Sequence, residues 1–355
     1  MAYISFKPSD FFNTLLYTGT SDTWTAHSGL GFQPNFTWHK SRTSTGWNGL
    51  CDSVRGVDAD PGCKAVYSND TSAEETSTTE YLDGYQSDGF TVGVNGSFGS
   101  NGEDYAAWCW KAGTNSGVDF SSGDITPTGY SINTTSGIGI YHYNCTGANA
   151  TMVHGLSSAP KMLITKSLGD TSPWAVWHTG MNPTNYLVLN DTAAQATNAN
   201  AWNSTAPSST VISFGSDGQT NGSGKNNIMY AFSDVKGYSK FGVYEGTGSA
   251  SATPYIWTGF RPAYVMIKSY NNVHNWAIYD SKRLGRNADS NQGNASISAN
   301  VTTIEQKDDD IDIFANGFRP RVTSNQVNGS GWLYSYAAFA NNPMVGSNGN
   351  PVLGR

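Results

Sequence analysis

The chain has 355 residues, with 20 Lys+Arg against 27 Asp+Glu, a net charge of −7 and a pI near 5.3. Charged residues make up only 13%, against roughly 25% in ordinary soluble proteins, which excludes coiled coils, long charged helices and a basic nucleic-acid surface. Aromatic residues at 13% and 40 glycines describe a packed, β-prone chain instead of a disordered one.

The N-terminal stretch MAYISFKPSD has no basic segment followed by an apolar run, so no secretion signal is expected and synthesis in a cytoplasm is. No apolar run approaches the roughly 18 residues of a membrane span, so membrane insertion is not expected. Cys51, Cys63, Cys109 and Cys145 lack paired C-x-x-C spacing and read as reduced thiols.

One pattern then recurs three times. Gly31-Phe32-Gln33-Pro34 leads into Phe36 to Lys40, Ala159-Pro160 into Met162 to Lys166, and Gly259-Phe260-Arg261-Pro262 into Tyr264 to Lys268. Each Lys stands six residues after its Pro, and Trp47, Trp174 and Trp276 follow seven or eight residues later. The prolines are 126 and 102 residues apart, a domain-sized interval. Short runs rich in β-branched and aromatic residues, bounded by turn residues, predict strands throughout. Asn-Gly pairs at 95–96, 101–102, 221–222, 316–317 and 328–329 predict turns with positive φ at the glycine.

These observations predict an all-β fold of three homologous antiparallel β-sandwich domains in tandem, of jelly-roll or lectin-like type. The expected boundaries are 1–112, 130–236 and 237–345, with a Gly/Ser/Thr-rich linker at 113–129 and a tail at 346–355. The short second junction predicts closer packing of the last two domains than of the first two.

The repeated residues read as structural: Pro34, Pro160 and Pro262 set strand starts, Trp47, Trp174 and Trp276 fill cores, and Lys40, Lys166 and Lys268 snorkel from their strands. Asp52-Ser53-Val54-Arg55 and Asp280-Ser281-Lys282-Arg283 place an acid and a base in one turn, whereas the second copy has His178-Thr179-Gly180. The six histidines show no zinc-hydrolase spacing, and no G-x-S-x-G elbow or phosphate loop is present. No catalytic residue and no cofactor is therefore expected, although a carboxylate pair of a glycosidase is not visible from sequence in any case. Asp308, Asp310 and Asp312 alternate along a strand pattern and are candidate calcium ligands, with a charged strand edge as the alternative. Trp24, Trp202 and Trp257 fall outside the repeat pattern and are candidates for stacking on sugar rings, or else pack inside.

The Gly-Phe-x-Pro strand ending in Lys, the Asp-Ser-x-Arg turn, and the closing segments Asp88 to Trp110 and Asn316 to Phe339 resemble repeat domains in structural proteins of marine tailed phages and cyanophages. That resemblance implies a non-enzymatic virion protein, such as a tail-fibre, appendage or capsid-surface component. Its partners are then other virion proteins and further copies of itself, a homotrimer first. A lectin-like adhesin for a host surface glycan is the alternative, and a glycan-degrading enzyme the third reading.

Overall fold

Short apolar runs punctuated by Gly, Pro and Asn become strands along the whole chain, and the only helical turn among the described residues is a 3-10 turn at Pro8–Asp10. A computed structural model describes residues 6–57, 63–283, 295–307 and 310–342; the expected tail at 346–355 lies outside them. No helix among the described residues is long and apolar enough to cross a membrane.

The strands fall into three sets. The first comprises β1 (Phe12–Thr18), β2 (Thr25–Ser28), β3 (Phe36–Ser41), β4 (Gly49–Asp52), β5 (Cys63–Tyr67), β6 (Glu75–Ser77), β7 (Leu82–Gln86), β8 (Gly89–Val92) and β9 (Asp104–Trp110). The second comprises β10 (Gly129–Asn133), β11 (Ile138–Asn144), β12 (Ala150–Val153), β13 (Pro160–Ser167), β14 (Ala175–His178), β15 (Asn185–Val188), β16 (Ala196–Thr197), β17 (Val211–Phe214) and β18 (Asn226–Ser233). The third comprises β19 (Ser239–Glu245), β20 (Ile256–Trp257), β21 (Tyr264–Ser269), β22 (Ala277–Asp280), β23 (Ala295–Ser298), β24 (Gln306–Lys307), β25 (Ile311–Phe314), β26 (Gly317–Pro320) and β27 (Leu333–Phe339).

Each set folds into one large antiparallel sheet and one small one. The large sheets run β1-β9-β3-β4-β5-β6, β10-β11-β18-β13-β14-β15-β16 and β19-β27-β21-β22-β23-β24. The small sheets are β2-β8-β7, β12-β17 and β20-β26-β25. The connection order is therefore the same three times, except that the second set adds the edge strand β10 and has no counterpart of β7. Register agrees as well: Trp38 opposes Trp108, Ile164 opposes Tyr230 and Met266 opposes Ala337, each two residues before the repeated Lys.

The large sheets are covered on both faces, which is why every residue of β3 and β21 is buried despite the alternating pleat. One face packs on the unit's own small sheet, giving three separate apolar clusters around Phe90, Ile212 and Phe318. The other faces meet in a single cluster drawn from all three units. At its centre the last aromatic of each closing strand forms a triangle, with ring centroids of Trp110, Phe232 and Phe339 separated by 6.1, 5.7 and 5.5 Å. The three units thus surround a common pseudo-threefold axis.

Two expectations change for physical reasons. Segment 113–129 is packed and not a free linker: Phe120 and Ile125 are buried in the second unit's core, and the Asp124 and Ile125 amides donate to the Thr151 carbonyl at 2.8 and 2.9 Å. Two apolar anchors suffice where composition suggested a tether. Of the five predicted glycines Gly102 has positive φ (77°), whereas those at 96, 222, 317 and 329 do not; Gly224 and Gly331, two residues past two of these, take it instead (72° and 69°). Asn221 and Asn328 instead brace the turn by accepting from the Thr146 and Thr247 amides at 2.7 and 2.8 Å.

Candidate functional site

The repeated polar residues gather at the seams between units. Lys40, Lys166 and Lys268 are fully buried and do not snorkel. Their ammonium groups donate to backbone carbonyls: Lys40 to Gly46 (3.0 Å) and Thr302 (3.3 Å), Lys166 to Ser167 (2.5 Å), and Lys268 to Ser269 (2.7 Å) and Thr192 (3.1 Å). Thr302 and Thr192 belong to the neighbouring unit in each case. Burial pulls all three lysines down to about 8 from the usual value near 10.5.

The tryptophans follow the same cyclic plan. Trp174 Nε1 donates to the Tyr67 carbonyl of the first unit at 2.8 Å, and Trp276 Nε1 to the Val188 carbonyl of the second at 3.0 Å. The third seam is closed by Asn48, whose amide donates to the Ser298 carbonyl at 3.1 Å and to Ala299 at 2.7 Å. Tyr67, Val188 and Ser298 hold one register position, each following the residue paired with Leu50, Val176 or Ile278. Asn48, and not Trp47, is therefore the counterpart of Trp174 and Trp276. Trp47 is 37% exposed and leans edge-on against Tyr67, so the expectation that it fills a core is corrected.

Backbone contacts repeat the cycle: the Glu74 amide donates to Leu168, Gln195 to Tyr270 and Glu305 to Arg42, at 2.8, 2.8 and 2.9 Å. Leu168, Tyr270 and Arg42 each lie two residues past the repeated Lys.

The Asp–Arg turns also face a seam. Asp52 Oδ1 accepts from the Val54 and Arg55 amides, and Asp280 Oδ1 from those of Lys282 and Arg283, all within 3.0 Å. The other oxygen binds the guanidinium Nε, at 2.6 Å for Asp52–Arg55 and 2.5 Å for Asp280–Arg283, with all four side chains buried. Each carboxylate takes one more donor from the next unit: Tyr230 Oη to Asp52 at 2.8 Å, and Trp108 Nε1 to Asp280 at 2.9 Å.

Tyr230 and Trp108 correspond to Ala337 in the third unit, which has no side-chain donor to offer. Opposite it, the second unit has His178 in place of the acid. Its Nδ1 accepts from the Gly180 amide at 3.1 Å, as an aspartate oxygen would, and Nε2 pairs with the Tyr336 carbonyl at 3.1 Å. The exchange of Asp and Arg for His thus matches the exchange of a donor for a carbonyl across the seam.

The remaining candidates separate. Trp202 is 1% exposed within the second unit's core, which corrects its reading as a sugar platform. Trp24 is half-buried ahead of β2. Trp257 is 59% exposed on β20 and borders a cleft of about 580 Å³ whose other wall includes Asp234, Lys236 and Lys240.

Asp308 lies outside the described residues. Asp310 and Asp312 are both 3% exposed; Asp310 accepts from Tyr279 Oη at 2.7 Å, and Asp312 sits 3.5 Å from both Arg319 and Arg321. Neither the calcium reading nor an exposed charged edge describes these two, because arginine and tyrosine already face them. No group of metal-ligating residues occurs among the described residues.

The four cysteines are thiols, with Cys51 and Cys63 sulfurs 3.6 Å apart in the first unit's core. Alkylation of the native protein should therefore label Cys145 first, and full labelling of all four should require denaturant but no reductant. A denatured, unreduced sample that takes up only two labels would show a bridge instead.

The fold and its seams define a class: an all-β protein of three sandwich units closed around one axis. A family model described as Domain of unknown function (DUF7483) matches residues 7–343, so the chain belongs to that family, and the match runs across all three units. No curated protein and no solved structure matches the chain.

Proposed function

We propose that the chain is a non-enzymatic structural protein of a tailed-phage virion, at a fibre, appendage or capsid surface. The phage resemblance of its repeats suggests the setting. The observation that carries the reading is the use of the recurring Lys, Trp/Asn and Asp–Arg positions: their polar atoms bind one another and backbone carbonyls of their own and adjacent units. These groups hold a body together and leave its outer faces for contact with other virion proteins or further copies. A host-glycan adhesin is the second reading, favoured by the exposed Trp257.

The test is fractionation of particles from the phage that encodes the chain, together with incubation of the purified protein with polysaccharides. The chain should co-sediment with intact particles and release no reducing ends. Recovery only in the particle-free fraction, or steady release of sugars, overturns the proposal.

A further inference from the structure

In the second unit one extended segment, 113–133, closes a side of the sandwich by running along the edges of both sheets. Its strand β10 pairs with β11 from Ile138 to His142, and the Asp124 and Ile125 amides donate to the Thr151 carbonyl on β12 at 2.8 and 2.9 Å. Phe120, Ile125 and Ile132 are buried between the two edges. The fit is close: a Cβ on Gly155, just past β12, would stand 2.9 Å from Val118 and 3.2 Å from Ile132.

The third unit has the same two edges, but its chain passes from β18 to β19 through residues 234–238 alone. Register makes Val243 the counterpart of His142, and Tyr255 and Trp257 the counterparts of Thr151 and Val153. In β19 the Gly246 amide turns to the Trp332 carbonyl beside β27 at 2.8 Å, whereas the Phe241 amide turns away to Asp234 at 2.9 Å. Alternate residues, Val243 among them, therefore aim N–H and C=O outward. In β20 the Thr258 amide donates to the Asn316 carbonyl at 3.0 Å, which leaves the groups of Tyr255 and Trp257 outward in the same way. Among the described residues no backbone group bonds these outward ones. The cleft of about 580 Å³ lies between the two edges, from Ser239 to Trp257 and Thr258.

The side chains on these edges are not those of an edge kept in water. In the first unit the counterparts of Tyr255 and Trp257 are Ala26 and Ser28. In the third unit Val243, Tyr255 and Trp257 are 45%, 48% and 59% exposed. Edges that face solvent carry small or charged residues, and large exposed apolar ones mark a surface that another chain covers.

We propose that this side of the third unit accepts an extended segment of a different protein chain, which adds a strand to β19 and turns apolar side chains into the cleft beside Trp257, as 113–133 does within the second unit. A second copy is not the donor, because the segment of this form among the described residues is already seated in its own second unit. This inference rests on the structural-protein reading and names the contact through which the chain joins a partner.

The test uses the full chain and a fluorescein-labelled synthetic peptide with the sequence of residues 113–133, followed by anisotropy and by hydrogen exchange. The peptide should bind at least tenfold tighter than one of the same composition in scrambled order, and should slow exchange of the Val243 amide at least tenfold. Val243→Pro removes an outward N–H, so it should leave the melting temperature in place while weakening peptide binding at least tenfold. Trp257→Ala should weaken it at least fivefold. No preference over the scrambled peptide overturns the proposal, as does binding that survives both substitutions, the mark of exchange with the resident segment. Two other occupants are scored on the free chain. A Val243 amide that is already protected, and is released by removing residues 343–355, assigns the face to the chain's own tail; self-association abolished by Val243→Pro assigns it to a second copy. Either result overturns the proposal. Particle association is scored separately: a chain that co-sediments but binds no peptide defeats this inference alone, and one that binds the peptide but is absent from particles defeats the virion reading alone.

Discussion

Replacing Trp174 or Trp276 with alanine should destabilise the protein by about 3–5 kcal/mol, the range for removing a fully buried large aromatic. Both indoles are within 2% of complete burial in the axial cluster, and each also carries a hydrogen bond across a seam. Truncation leaves a cavity and a neighbouring carbonyl without its donor. Trp47→Ala provides the contrast, because that side chain is 37% exposed, and its loss should shift stability by no more than about 1 kcal/mol. Urea denaturation of the three variants decides it; equal midpoints for Trp47→Ala and Trp174→Ala would contradict the seam assignment.

Acidification should unfold the protein through its buried histidines. Burial lowers His178 to about 4 and His39 to about 3, from an ordinary value near 6.5. Protonating His178 would also turn Nδ1 from acceptor to donor against the Gly180 amide. Above pH 6.5 both rings are neutral in either state and this stability is fully present. As pH falls below 6.5 the unfolded chain binds protons that the folded chain refuses, so stability drops until the folded values near 4 and 3 are reached. At about 1.4 kcal/mol per pKa unit, His178 alone should account for a loss of about 2 kcal/mol by pH 5. Urea midpoints at pH 7.5 and 5.0 measure it, and His178→Gln should reduce the dependence, leaving the share of His39. A midpoint that does not move between those pH values would contradict it.

The Pro-to-Lys spacing was enough to place β3, β13 and β21, because a short apolar run after proline has little choice but to be a strand. It also placed the three lysines in one register. What lay beyond reach was their surroundings: a lysine at the end of a strand looks the same whether its amine reaches water or a neighbour's carbonyl. Trp47 was misplaced for a related reason. The seam selects a side chain by where its N–H points, and Asn48 meets that requirement with an amide, so matching tryptophan to tryptophan shifts the register by one. The shared axial core was hidden because sheets buried on both faces read the same whichever partner covers them. His178 and Ala337 are far apart in the chain, and their joint departure from the pattern has meaning only once they face each other. Trp257 stood out as an aromatic outside the repeats, but its 59% exposure is a property of the folded small sheet and not of the local sequence.

Carrying all three units on one polypeptide removes the constraint that a trimer of identical subunits imposes. In such a trimer every substitution appears three times around the axis, so a residue suited to one partner is forced on the other two. Covalent linkage lets each position drift alone: one interface has exchanged carboxylate and guanidinium for imidazole, and one outer face has acquired an indole. It also makes assembly of the ring a first-order event, independent of protein concentration, since the three units are never at less than their tethered concentration. Symmetry supplies the frame, and a single chain allows it to be broken at one place without disturbing the other two.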